Sequence, residues 1–335
     1  MSKPDDYLWD RSGPADPEVA RLEQLLAPLA HDRPLDELGL RKRTPSRAPW
    51  IAAGVALAAA AAVLVLVLRP GTPGEAGAAC ASGEGYAFTT GGSPAMCGGG
   101  TVASGVLPVG GTLDTGPGTA RLAIAKIGSA ELGPGTRIRL DRSVEGEREQ
   151  LHLERGRMHA QVTAPPRMFA VTTPSTGVVD LGCEYTIEID ARGVGWIEVQ
   201  SGKVELETSA KALIIAPAGT TARMRAGRQP SVPVVTGATA QLVAAVRAYE
   251  DGAPDGLDQV LRASGPQDAI TLVNLAVLVP DRTAVLERLA AVSPPTSVTL
   301  ALALADPAAF EIWRDEIVLA RMVETLETGG NPNKR

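Results

Sequence analysis

The spacing of apolar residues changes three times along this chain, and each change predicts a different element. From Trp50 to Leu68 the sequence WIAAGVALAAAAAVLVLVL carries no charge. As a helix its 19 residues span roughly 28 Å, close to the thickness of a bilayer's hydrocarbon core. Between 105 and 229 the period shortens to two: Arg137-Ile138-Arg139-Leu140, Leu151-His152-Leu153-Glu154, Phe169-Ala170-Val171-Thr172, Tyr185-Thr186-Ile187-Glu188-Ile189, Trp196-Ile197-Glu198-Val199 and Val204-Glu205-Leu206. Gly133-Pro134-Gly135, Pro165-Pro166, Arg192-Gly193 and Ser201-Gly202 punctuate these runs, which predicts an all-β domain, a sandwich or a solenoid. Two stretches, Leu151–Met158 and Ile197–Val204, share one plan around Gly156 and Gly202 and read as hairpins. From 238 to 328 the spacing is helical, with starts at Gly265-Pro266, Asp281 and Asp306-Pro307 and stops at Pro280 and Pro294-Pro295, which predicts a small α-helical bundle. Residues 230–237 read as a linker.

Charge orients the apolar run. Arg41-Lys42-Arg43 and Arg47 precede it, whereas between Arg69 and Arg121 there is no Lys or Arg. The positive-inside rule makes this a single-pass membrane protein with residues 1–49 cytoplasmic and 70–335 outside, Trp50 lying at the interface and Leu68 near the far end. In a bacterium that is the inner membrane, with the C-terminal part periplasmic. A lipoprotein anchored at Cys80 and a buried helix of a soluble domain are the competing readings. The Gly-, Ala- and Ser-rich stretch 69–104 reads as a flexible linker, with Tyr86-Ala87-Phe88 a candidate first strand.

The 49 residues before the run hold one amphipathic helix, with Asp16 as N-cap, Pro17 in its first turn, and Val19, Leu22, Leu25, Leu26 and Leu29 at helical spacing. That is too little apolar surface for a core, so the segment is either disordered or completed by a partner. Tyr7, Leu8 and Trp9 either anchor a partner or staple onto this helix; with the helix they form the candidate partner-binding surface.

Net charge is −6 over 335 residues, which gives no large nucleic-acid surface. Aromatic residues are 3% of the chain, so the core relies on Val, Leu, Ile and Ala. All three cysteines lie on the expected outer side, and Cys80 and Cys97 are either a disulfide pair or separate thiols. No catalytic constellation is present. His152 and His159 flank Gly156 without further ligands and read as strand residues; Ser175 lacks a nucleophile-elbow context; Cys183 reads as a buried thiol; Asp180 and Glu184 read as edge polar groups. No enzyme activity, metal, cofactor or small-molecule substrate is expected.

An ordered set of short motifs is more specific: Gly111-Thr112-Leu113-Asp114-Thr115-Gly116, Leu153-Glu154-Arg155-Gly156, Phe169-Ala170-Val171-Thr172-Thr173-Pro174, Val179-Asp180-Leu181-Gly182-Cys183-Glu184-Tyr185, Val199-Gln200-Ser201-Gly202-Lys203-Val204 and Ala216-Pro217-Ala218-Gly219. This series resembles the FecR family of membrane-anchored regulators, in which Gly-Thr often stands where this chain has Gly182-Cys183. The resemblance implies an extracytoplasmic β-domain, a cytoplasmic tail that binds an extracytoplasmic-function sigma factor, and an envelope protein or ligand sensed outside. It implies no known activity for the helical C-terminus. The alternative is a membrane-anchored binding or scaffold module with no role in transcription.

Overall fold

The computed structural model describes Cys80 and residues 84–144, 147–208 and 213–328, all within the unit Gly71–Arg335. The tail residues Tyr7, Leu8, Trp9, Val19, Leu22, Leu25, Leu26 and Leu29 and the run Trp50–Leu68 lie outside the described residues. Among the described residues no helix is long and apolar enough to cross a membrane.

Among the described residues seventeen strands precede six α-helices and one short 3-10 helix, Pro266–Asp268. The strands are β1 (Gly85–Gly91), β2 (Ala95–Cys97), β3 (Gly100–Val102), β4 (Ser104–Pro108), β5 (Thr112–Asp114), β6 (Thr119–Ile124), β7 (Gly128–Leu132), β8 (Arg137–Arg142), β9 (Glu149–Val162), β10 (Phe169–Thr172), β11 (Gly177–Asp180), β12 (Glu184–Ile189), β13 (Gly195–Ser201), β14 (Lys203–Glu207), β15 (Leu213–Pro217), β16 (Thr220–Met224) and β17 (Val234–Val235). The helices are α1 (Ala240–Glu250), α2 (Gly256–Ala263), α3 (Ala269–Leu278), α4 (Thr283–Val292), α5 (Leu300–Ala305) and α6 (Pro307–Thr328).

Pairing resolves two sheets that share one long strand. The first runs β4-β1-β6-β7-β9-β12-β13-β16-β17. The second runs β3-β2-β5-β8-β9-β10-β11-β14-β15. Every pairing is antiparallel except β9 with β10. A solenoid stacks parallel rungs, so this pattern decides for a two-layer sandwich. Inward residues of both sheets, among them Leu122, Met158, Tyr185 and Ile197 from the first and Leu113, Ile138, Leu151 and Val204 from the second, form one buried cluster.

The two glycine-centred stretches are not hairpins. The first half of β9 pairs with β8 and β10, its second half with β7 and β12. The strand changes sheet at Gly156, whose φ is +99°. A Cβ there would stand 2.3 Å from Thr136 Cα, so only glycine fits. The Thr136 hydroxyl accepts from Arg157 N–H and donates to Arg157 C=O, satisfying the backbone groups next to the kink. At Gly202 the chain likewise leaves β13 in the first sheet for β14 in the second. Period-two alternation does not distinguish a strand that turns back from one that turns a corner.

Two boundaries move. Strands begin at Gly85, so residues 85–104 belong to the sandwich and not to a flexible linker; Phe88 pairs with Gly105 and Leu122 across β4 and β6. Short, glycine-rich strands carry too little periodicity to separate them from a spacer. Residues 230–237 likewise include β17, paired with β16. The helices do not form a separate bundle. Their cluster takes in Ile215 from β15, Val235 from β17 and Val232 just before it. Asn274 on α3, fully buried, caps the edge strand: its Oδ1 accepts from Ile215 N–H at 2.8 Å and its Nδ2 donates to Ile215 C=O at 2.9 Å. Arg314 and Arg321 on α6 donate to the carbonyls of Leu213 and Gly219 at 2.5 and 2.8 Å. Unpaired edge groups invite pairing with another chain, and here helix side chains occupy them.

Candidate functional site

The outward face of the first sheet carries a continuous cross-strand row. Register places Thr89, Arg121, Glu131, His159, Thr186, Glu198 and Thr221 opposite one another in succession across seven strands. From Arg121 to Glu198 the chain neighbours of each are inward-facing Ala, Leu, Met, Tyr, Ile or Val, so alternation turns these side chains outward. The row from Thr89 to Thr186 lines an open concavity of about 600 Å³, together with Gly91, Thr119, Gly133 and Arg157.

Charge on this face is largely paired. Arg121 Nη1 lies 3.0 Å from Glu131 Oε1. His159 is held by Thr186 Oγ1 at 3.1 Å from Nδ1 and by Glu184 Oε1 at 3.2 Å from Nε2. Gln200 donates to the same Thr186 hydroxyl. One row along, Arg157 sits 3.6 Å from Glu188 and 5.8 Å above the Trp196 ring, a cation–π arrangement. The result is a polar surface laced by cross-strand hydrogen bonds and ion pairs.

His152 faces outward from the other sheet, with Nδ1 2.9 Å from Thr172 Oγ1. The sheet change at Gly156 thus separates it from His159. Among the described residues no group of three or more His, Cys, Asp or Glu is placed to hold a metal ion.

Asp180 is a correction: it is buried at 2% exposure, not an edge group. Its Oδ1 accepts from Gly182 N–H at 2.6 Å and its Oδ2 from the Cys183 thiol at 2.8 Å. Burial raises the Asp180 pKa against the lowering effect of these hydrogen bonds. Burial also pushes the Cys183 thiol up, and the Asp180 charge adds to it. Tyr185, fully buried beside them, is raised well above its ordinary value, first by burial and then by the two acids. A thiol held un-ionised in the core is structural rather than reactive. Glu184, by contrast, is half-exposed on the outer face, against His159. Cys80 and Cys97 are disulfide-bonded, with Cα atoms 5.9 Å apart. Cys80 C=O accepts from Val106 N–H on β4, so the bond ties the start of the domain to both sheets.

The sequence marks each of these outward residues as polar but not which strands become neighbours. Arg121, Glu131 and Thr186 are therefore missed as a site. Arg157 and Trp196 form a pair only because β9, β12 and β13 lie side by side.

Residues 112–205 match the profile of the FecR family, described as FecR protein. No curated protein matches the chain. Two crystal structures of a candidate anti-sigma factor from Parabacteroides distasonis share 18% and 16% identity with it, at TM-scores of 0.31 and 0.29. The matches cover 38% and 47% of this chain and 59% and 63% of those structures, so the chain spans less than two thirds of either. A likeness this low does not define a shared fold. The residues that match the FecR family model, 112–205, lie wholly inside the β-sandwich.

Proposed function

We propose that this protein is a membrane-anchored FecR-like regulator controlling an extracytoplasmic-function sigma factor. Residues 1–49 form the cytoplasmic, sigma-binding tail, 50–68 the single span, and the sandwich the envelope-facing sensor. The FecR match at residues 112–205 carries the reading. Two features support it: the basic flank before the apolar run, which sets the tail inside, and a polar concave sheet face without catalytic groups, which suits binding. Tyr7, Leu8, Trp9 and the helix bearing Val19, Leu22, Leu25, Leu26 and Leu29 supply the apolar contacts to the sigma factor. The sensed partner is an envelope protein or ligand.

The test is a comparison of the full chain with a chain lacking residues 1–40, each purified from its own cells, alongside a transcription profile. Retention of a sigma factor by the full chain only, with a matching transcriptional change on deletion, supports the regulator. Equal profiles and no sigma factor in either would leave an anchored binding module.

A further inference from the structure

We propose that the outward face of α6 docks an amphipathic helix of a partner protein whose apolar seam is flanked by lysine or arginine. The inference rests on α6 alone and stands whether or not the chain controls a sigma factor.

One side of this 22-residue helix is fully used. Phe310, Trp313, Ile317 and Val318 enter the helical core, and Arg314, Arg321 and Thr325 bond to carbonyls of the sheet edge. On the opposite side Ile312, Leu319, Val323 and Leu326 are 49%, 61%, 45% and 76% exposed. Their spacings of seven, four and three residues place them within about 60° of one another around the axis. Scattered apolar residues on a surface are ordinary, but a seam of four at heptad spacing has the geometry that a second helix packs against at about 20°.

Charge selects the occupant. Asp315 and Glu327 are exposed beside the seam, as is Glu311, which also pairs with Arg314 at 3.1 Å. Glu316 lies within it, half-buried and accepting from the amides of Thr296 and Ser297. Both arginines of α6 are turned into the sheet edge, with side chains 7% and 15% exposed. Among the described residues of α6, every exposed charge is therefore acidic. A second copy of α6, parallel or antiparallel, would set carboxylates against carboxylates, whereas basic flanks complement them.

The test uses the full chain and two labelled synthetic helices about three heptads long. Both have leucine at the seam positions; one carries lysine and the other glutamate at the flanks. Fluorescence anisotropy should show binding of the lysine peptide, weakened by added salt and reduced about tenfold or more by Leu319→Ser with Leu326→Ser. Because both leucines are exposed, the melting temperature should not change. Asp315→Lys with Glu327→Lys should shift the preference to the glutamate peptide. Equal binding of both peptides, no binding, or binding that survives the double serine variant would overturn the proposal. So would self-association, seen by sedimentation, that disappears in that variant, since it would assign the face to a second copy.

Discussion

Replacing Asn274 tests how the helices hold the sandwich edge. Its amide pairs with both backbone groups of Ile215, and Nδ2 also reaches Ile270 C=O at 2.9 Å. In Asn274→Ala the N–H and C=O of Ile215 keep their burial and lose their partners. Each unsatisfied buried group costs about 1–3 kcal/mol, and the lost side chain leaves a small cavity. The expected loss is about 3–5 kcal/mol, a large share of a typical domain's stability. Urea unfolding of the full chain, followed by far-UV circular dichroism, reads it as a lower midpoint at unchanged slope. Asn274→Asp sharpens the test. One carboxyl oxygen still accepts from Ile215 N–H, but the other faces Ile215 C=O with no hydrogen to offer once ionised. Burial raises that carboxyl above its unfolded value of about 3.9, so the folded variant holds a proton that the unfolded chain releases. Its stability relative to the parent is best at acid pH and falls as pH rises through the folded pKa. A loss under about 1 kcal/mol for the alanine variant, or an aspartate deficit independent of pH, would refute the edge-cap argument.

Four further outcomes are expected. Gly156→Ala should cost about 2–4 kcal/mol by thermal melting, because its Cβ meets Thr136 Cα at a φ of +99°; loss of Thr136 by Thr136→Val should cost about 1–3 kcal/mol through the Arg157 N–H, which loses its partner while the Arg157 C=O keeps Gly133 N–H. Asp180→Asn removes a buried acid of raised pKa, whose contribution in the parent is most favourable at low pH and is lost as pH rises through the folded value. The melting temperature of the variant minus that of the parent should therefore increase from pH 4 to 8, and a flat difference would mean that Asp180 is not raised. Cys80→Ser with Cys97→Ser should cost about 3 kcal/mol, as expected for opening a loop with a sequence separation of 17, measured against the parent without reductant.

Local pattern marks β8, β9, β10, β12, β13 and β14 and most of the helices, because apolar and polar residues alternate along those runs; it passes over β11, β15 and β16, short strands of which β11 and β15 are buried on both faces. It identified Ile187 and Glu188 as opposite faces, and it marked α6 through Asp306-Pro307. It failed where the answer is a pairing between distant residues. The row from Thr89 to Thr221 exists only through register across seven strands. Asp180 looks like any polar strand end until Gly182 and Cys183 fold over it. The Gly156 and Gly202 stretches resemble each other because both turn corners, and a corner and a hairpin demand the same permissive glycine. Asn274 stands in a helix, Ala269–Leu278, that is apolar apart from Thr271, and a lone amide in such a run is the available sign of a partner at a sheet edge.

That amide also decides what the C-terminal helices are for structurally. A helical bundle attached by a linker would complete its own core and leave β15 open. Here Ile215 belongs to the helical cluster, its backbone is closed by Asn274, and Leu213 and Gly219 are closed by arginines of α6. The helices complete the sandwich edge that lies just past the FecR-matched residues, and in doing so they use one side of α6 fully. Edge protection needs only that inner side. It gives no reason for Ile312, Leu319, Val323 and Leu326 to stand apolar on the other, so the outer seam requires a cause of its own, which a docked helix supplies.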